Sequence, residues 1–367
     1  MPKINVLILG KSGAGKSALL NLLWGSQVAK SAAGRPVTPK GDNNGCGIYP
    51  SPPINKNGLE IIIHDSWGME ADKASDWSEL INDQIRENNT SSNVGDWFHT
   101  IIYCISAKGA RIEKFEIDSI IHPLIKQGNS IVFALTKSDI ASDEEYLALN
   151  DVIKKELPNA QVVKICSISQ TLRNGDRIEA FGSEELSKAV MHNLRTNLIE
   201  KIQFNFLIHC TQLSKDWKLN VLRFYDKKSS LLKSRDSLHK EVAAHAEIEF
   251  KLITKSSMQW LVTAINDAQI IFNNFGISFA ADEYINNHKK DSSNFINPIE
   301  WSGIENAVNM LLNNIPVVNF IYWTIAHQLH RDKLEEKIDV QVKNFNDQIK
   351  DSLKKIDKYL LQRLMIK

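Results

Sequence analysis

The stretch "LILGKSGAGKSALLNLLWG", Leu7 to Gly25, constrains this chain more than any other. It opens on aliphatics, turns through Gly10, Gly13 and Gly15, and closes on leucines at helical spacing, the pattern of a buried strand, a tight turn and a helix. Gly10, Gly15, Lys16 and Ser17 satisfy the spacing G-x-x-x-x-G-K-[ST] in that context. Glycines let such a loop aim its backbone N–H groups inward, and the helix starting near Lys16 adds the positive end of its dipole. The product is an anion nest sized for a β-phosphate. Ser12, Gly13, Ala14, Gly15, Lys16, Ser17 and Ala18 are therefore the expected phosphate-side residues. Lys16 should reach the β and γ phosphates, and the Ser17 hydroxyl is placed to ligate Mg²⁺.

A chain of 367 residues exceeds what one hydrophobic core usually organises, so two domains are expected, bounded at 1–198 and 199–367. In the first, apolar runs Ile4–Leu9, Leu59–His64, Thr100–Ile105, Ser130–Leu135 and Gln161–Ile165 read as strands too apolar to face water on one side. They alternate with helical segments Ser17–Leu23, Trp77–Ile85, Glu116–Ile125, Asp143–Leu157 and Glu184 onward. That alternation predicts an α/β fold with a mostly parallel sheet covered on both faces. A further strand at Cys46–Pro50 is weaker, because prolines follow. Past about residue 195 long helical patterns take over. Leu334, Ile338, Val342, Phe345, Ile349, Leu353, Ile356, Leu360 and Leu364 keep one apolar stripe on a long helix. Asp226–Glu241 should sit on an exposed helix or hairpin, Asn286–Pro298 reads as a loop, and Pro316 should break or kink a helix.

Charge excludes some partners. Lys plus Arg number 44 against 43 Asp plus Glu, so no global positive field argues for nucleic acid or an anionic membrane. Cys46, Cys104, Cys166 and Cys210 lie far apart without a CxxC pair, which fits reduced thiols rather than a zinc site or a disulfide framework. The N-terminal apolar run is too short for a signal peptide core, and a cytoplasmic protein is expected.

Two downstream motifs decide between nucleotides. "LEIIIHDSWG" ends a strand with Asp65, three residues before Gly68. A carboxylate there can hold Mg²⁺ through water, while the Gly68 N–H can meet the γ-phosphate. "IVFALTKSD" places Thr136, Lys137 and Asp139 past another buried strand. Asp139 can accept hydrogen bonds from guanine N1–H and its exocyclic amine, a pair adenine does not offer, and the Lys137 stem can lie along the base. "KICSIS" offers Ser167 and Ile168 as a second loop beside the base.

"GKSGAGKS", "DSWG", "TKSD" and "CSI", in this order, resemble the translation-factor-class GTPases, closer to the Era-like branch than to the Ras proteins, over about residues 1–200. The resemblance implies a Ras-like P-loop fold and a switch segment with one threonine that closes over Mg²⁺ and the γ-phosphate. Thr38, in "AGRPVTPKGDNNG", fits that place. Lys16, Thr38 and Gly68 are then the residues expected to act on the γ-phosphate, with Ser17, Thr38 and Asp65 around the metal. Two positions depart from the pattern. Met69 stands where Ras-like proteins carry a water-orienting Gln, so intrinsic hydrolysis should be slow; the neighbouring Glu70 would be repelled by the γ-phosphate. Thr136 stands where many members have Asn, and its hydroxyl can still tie this loop to the phosphate loop.

The helical half is the candidate for an element that responds to the γ-phosphate. It is expected to bind a protein partner or a second copy, resembling in architecture alone the helical parts of dynamin-like and interferon-inducible GTPases. The other reading is a membrane-associated assembly protein that uses GTP for oligomerisation. Its basis is the apolar segment Ala307–Leu329, which Asn309, Asn313, Asn314, Pro316, Asn319 and His327 interrupt, so a buried hairpin is favoured. His64 is expected to be packed and neutral, Trp67, Trp77 and Trp97 to pack between helices and sheet, and His288–Lys290 to be a solvated loop.

Overall fold

The computed structural model of the 367-residue chain describes residues 3–24, 47–56, 59–70, 74–91, 93–109, 111–171, 175, 177–229, 235–286 and 331–364. The strands in chain order are β1 (Lys3–Gly10), β2 (Ile48–Pro50), β3 (Ile54–Lys56), β4 (Leu59–Ser66), β5 (Phe98–Ser106), β6 (Ile131–Thr136), β7 (Gln161–Lys164), β8 (Gln170–Thr171) and β9 (Arg177–Ile178). Seven form one sheet in the order β2-β4-β1-β5-β6-β7, with β3 also on β4; β8 and β9 pair separately. The five strands β4, β1, β5, β6 and β7 are mutually parallel, as continuous apolar runs predict. β2 and β3 add antiparallel edges to β4, each three residues long. Proline cannot donate to a ladder, and Pro50, Pro52 and Pro53 keep β2 short.

The helices are α1 (Lys16–Trp24), α2 (Ala74–Thr90), a continuous α3 (114–126) whose middle turn Ile117–Ile121 is a π-helix, α4 (Asp143–Glu156), α5 (Ser183–Ser229), α6 (Arg235–Asn286) and α7 (Arg331–Leu364). α2 buries Trp77, Ile81 and Ile85, one every fourth residue, in a core shared with Leu7 and Leu9 of β1, Tyr103 of β5 and Phe133 of β6. α3 adds Ile117, Ile120, Ile121 and Leu124 to it. Each such side chain contributes about 1.5–3 kcal/mol of burial. α4 starts on a reciprocal cap: Ser142 N donates to Glu145 Oε2 at 2.8 Å and Glu145 N donates to Ser142 Oγ at 3.3 Å.

Two compact units emerge, Met1–Lys201 with Asp267–Lys289, and Ile202–Asn266 with Lys290–Lys367. Within the second, Trp217 of α5 meets Phe250 of α6 edge-on at 5.3 Å, and Phe250 meets Phe345 of α7 at 5.4 Å. The Trp217 indole donates to Ala246 O at 3.0 Å, so its polar tip is satisfied in the core. Leu334, Ile338, Phe345, Ile349 and Leu353 of the α7 stripe are buried, as their spacing predicts. Lys218 Nζ bridges Glu335 and Asp339 at 3.0 and 2.6 Å, and Arg331 holds Asp226. The charged run Asp226–Glu241 spans the end of α5 and the start of α6, with Leu238 and His239 buried. Among the described residues no helix is long and apolar enough to cross a membrane. Thr38, Cys46, Ala307–Leu329, Pro316, His288–Lys290 and most of the loop expected at Asn286–Pro298 lie outside the described residues.

Candidate functional site

The site forms where the parallel strands end. β1 runs into the glycine turn and α1 begins at Lys16, so the N-terminus of a helix opens on the turn. Gly15 takes φ 86°, a left-handed conformation that costs a glycine little. The Lys16 side chain folds back under the loop, its Nζ donating to Gly10 O and Lys11 O, each at 3.1 Å. Burial pulls the Lys16 pKa down, against the opposing pull of the Asp65 carboxylate. Asp65, in β4 opposite Ile8 of β1, is buried and accepts from Ser17 Oγ at 2.7 Å. Two hard oxygen donors and a buried ammonium thus converge at one turn. Ala14 is buried, Ser12 and Ala18 are half-buried and Gly13 is exposed.

The segment after Asp65 is fastened to this turn by its backbone. Met69 N donates to Gly10 O at 3.3 Å, and Ser12 N donates to Met69 O at 2.9 Å. A Cβ at Gly68 would stand 2.5 Å from Ser12 Cα, so only glycine permits this approach. Met69 itself is buried with Trp67, Trp77 and Ile112, and its side chain belongs to the core. The Trp77 indole donates to Trp67 O at 3.0 Å. Packing, rather than a tryptophan surface, accounts for Trp67, Trp77 and Trp97, all buried.

The base-side loop is tied to the phosphate loop at two places. Thr136 Oγ1, at the end of β6, donates to Ala14 O at 2.6 Å, and Lys137 Nζ donates to Gly13 O at 2.9 Å. Lys137 itself takes φ 55°. Asp139 is half-buried and accepts from Gln170 Nε2. The loop after β7 is held by Ser138 N donating to Ile165 O at 3.0 Å. There the Ser167 hydroxyl has no hydrogen-bond partner among the described residues, and Ile168 is 62 % exposed. Ser12 to Ala18, Asp65, Gly68, Thr136 and Lys137 therefore come together around one turn. Asp139, Ser167 and Ile168 lie on the adjoining loops.

Several functional-looking groups escape a reading of motifs. Lys11, inside the phosphate loop, bridges Glu113 at 2.9 Å and Glu116 at 2.7 Å. Glu116 is buried, and it also accepts from Tyr103 Oη at 2.9 Å and from Glu113 N at 2.8 Å. The signal available in sequence was Glu113-x-x-Glu116, the capping box that starts α3. Lys201 is also buried. It donates to Phe98 O and, at 2.8 Å, to Asn129 Oδ1, at the N-terminal ends of β5 and β6. No motif marks it. His64 is neutral at ordinary pH, its pKa lowered to about 4 by burial and by Lys3, and its Nε2 lies 3.2 Å from Asn5 Oδ1.

Does this site suit a nucleotide with Mg²⁺? Among the described residues no cluster of three His, Cys, Asp or Glu exists that could cage a metal. One hydroxyl and one carboxylate beside an anion nest are instead the protein share expected for a cation that arrives with phosphates and keeps most of its water. The residues present fit.

Parallel sheet, phosphate loop and base-side loop define the Ras-type P-loop GTPase fold. Within that class the chain belongs to the septin family, whose model matches residues 2–194, more than half of it. Septin homolog spn1 of Schizosaccharomyces pombe is 24 % identical over 176 residues, 42 % of this chain and 36 % of that protein. The chain thus matches about a third of the length of this curated relative. Among solved structures, Era in complex with MgGDPNP and part of 16S ribosomal RNA is 23 % identical, covering 53 % of this chain and 57 % of that one, at a TM-score of 0.37. Toc33 from Arabidopsis thaliana with Mg²⁺ and GMPPNP is 17 % identical, covering 54 % and 87 %, at 0.38.

Proposed function

We propose that residues 1–198 bind GTP with Mg²⁺ and hydrolyse it to GDP and phosphate, and that residues 199–367 carry the response to a partner protein or a second copy. The observation that supports this most is the convergence of buried Lys16 with the Ser17–Asp65 pair at the strand-to-helix turn, with Thr136 and Lys137 bonded to the same turn. Phosphate recognition and base recognition then share one rigid edge. The narrower Era-like placement rests on the four sequence motifs alone, and a cytoplasmic setting belongs to the same reading.

In this mechanism the turn's N–H groups and the α1 N-terminus receive the β-phosphate, and Lys16 holds positive charge against the γ-phosphate as negative charge builds toward the leaving oxygen. Ser17 and Thr38 would ligate Mg²⁺ directly and Asp65 through water, with Gly68 N–H meeting the γ-phosphate. When bound, Mg²⁺ supplies charge neutralisation on the β and γ oxygens. No side chain at position 69 can orient the attacking water, since Met69 packs into the core, so turnover should be slow. Exposed Ile248 and Leu252, one turn apart on α6, support an apolar partner for the helical part.

Titration of the full chain with GTP and ATP, each with Mg²⁺, tests the site. Lys16→Ala should abolish tight binding, and Asp139→Asn should remove the preference for GTP. Unchanged GTP affinity in the first variant would sink the site, and unchanged base preference in the second would sink guanine recognition. Mass measured with GTP analogue and with GDP tests self-association: a single mass in both states argues for a partner other than a second copy.

A further inference from the structure

We infer that Gln170 is a base-specificity residue that seats Asp139; this rests on the guanine reading above. An ionised carboxylate only accepts hydrogen bonds, so the amide nitrogen of Gln170 is the end that can face Asp139 Oδ2, and it does. The backbone that presents Gln170 is held by bonds on either side of it. Gln170 pairs with Ile178 in the β8–β9 ladder. Just before it, Cys166 and Phe181 exchange both backbone hydrogen bonds, at 3.1 and 3.0 Å. Ser169 Oγ donates to Glu179 Oε2 at 2.8 Å and accepts from Ala180 N at 3.0 Å. The buried Cys166 thiol, whose Sγ donates to Ile168 O at 3.3 Å, also interacts with the Asp139 carboxylate.

A carboxylate that reads guanine must offer both oxygens in one plane to N1–H and the exocyclic amine. Each oxygen has two lone-pair directions, so Oδ2 can take the Gln170 amide and the base together. The amide removes the freedom of the carboxylate to rotate away. It also tells the two ends of the side chain apart. In Asp139→Asn the Gln170 donor selects the carbonyl of the substituted amide and turns that amide's NH₂ toward the base. A donor there suits the 2-oxo group of xanthine rather than the 2-amino group of guanine.

The test uses the full chain and titrates GTP, xanthosine triphosphate and ATP. Gln170→Ala should weaken GTP about tenfold, the loss of a hydrogen bond to a charged group, with ATP affinity unchanged. Gln170→Glu, isosteric but acidic, should weaken GTP further by setting a second carboxylate against Asp139. Asp139→Asn should prefer xanthosine triphosphate, and Asp139→Asn with Gln170→Ala should lose that preference about fivefold or more. GTP affinity in Gln170→Ala within twofold of wild type, or tighter, overturns the inference while wild-type preference for GTP over ATP leaves the guanine reading standing. A wild type without that preference overturns both. The isosteric Glu variant keeps the outcome decisive if Ala unfolds the hairpin.

Discussion

Two lysines are buried at opposite ends of one sheet, and the contrast between them separates what the fold uses for chemistry from what it uses for itself. Lys16, at the C-terminal end of β1, donates to two loop carbonyls and lies near the Asp65 carboxylate, which offsets part of its desolvation. Lys201, beside the N-terminal ends of β5 and β6, donates to Phe98 O and Asn129 Oδ1, both neutral. Burial alone sets its ionisation and pulls its pKa to about 7. An ammonium held by neutral acceptors is a fastening. One held half-compensated at a helix N-terminus still has charge to offer a ligand.

The largest effects should divide along this line. Lys16→Ala should lower GTP affinity by at least about a hundredfold, and by leaving the buried Gly10 carbonyl without its donor it should also cost roughly 1–3 kcal/mol of unfolding stability. Lys201→Ala should cost stability alone. It takes the donor from Phe98 O at roughly 1–3 kcal/mol, leaves Asn129 Oδ1 with only the long Asn89 Nδ2 bond at 3.4 Å, and opens a cavity, so denaturant unfolding should show a loss of about 3 kcal/mol or more, with GTP affinity within twofold. A Lys201 variant that stays stable but loses GTP would erase the distinction.

The same end of the sheet should respond to pH. The folded pKa of Lys201 lies below its ordinary value of 10.5, so the unfolded chain binds the extra proton between pH 7 and 10.5. Its contribution is fully present above pH 10.5 and is lost as pH falls to about 7. Relative to Lys201→Met, which keeps the stem but not the proton, wild type should gain about 3 kcal/mol between pH 7 and 10. His99, with its Nδ1 accepting from Asn5 N, is driven to about 3 by burial and by Lys201. Its contribution is present above pH 6.5 and is lost as pH falls toward 3, so His99→Gln should flatten the acid side of the stability profile.

A smaller effect tests Lys11, which belongs to the phosphate loop yet has its charge matched by the Glu113 and Glu116 carboxylates. Glu116→Gln keeps shape but weakens the tie to Lys11 and gives the Tyr103 hydroxyl, which donates to Glu116 Oε1, a weaker oxygen to donate to. A stability loss of about 2 kcal/mol is expected with GTP weakened only a few-fold. A GTP loss as large as that of Lys16→Ala would move Lys11 to the chemical side of the comparison.

The contrast also explains what a sequence can show. The meeting of Lys16, Ser17, Gly68 and Thr136 around one turn was legible because it depends on spacing within one loop or on position at a strand end. The five parallel strands were legible because continuous apolar runs have few other uses. Lys201 was not: its partners lie 103 and 72 positions away, and a lysine in a helical pattern reads as a solvated face. β3, β8 and β9, two or three residues each, carry no periodicity to detect, which hid Gln170 as well. α5 runs unbroken through residue 198, so the helical pattern held no punctuation where the compact units divide near residue 201.

The finest test lies at Thr136, where fold and chemistry share one hydroxyl. Its Oγ1 donates to Ala14 O at 2.6 Å, with Ile105 O the longer neighbour at 3.2 Å. Thr136→Val preserves the branched shape that β6 prefers and removes only the donor, leaving a buried carbonyl unpaired at roughly 1 kcal/mol or more. If the tie merely stabilises the sheet, unfolding stability should fall and GTP affinity stay put. If it positions the phosphate loop against the base loop, GTP should weaken about fivefold, and Thr136→Asn, which restores a donor, should recover it while Thr136→Val does not. We expect the second pattern, because Lys137 bonds the neighbouring Gly13 carbonyl and the two ties together fix one loop on the other. Equal GTP affinities across the three proteins would place Thr136 with Lys201.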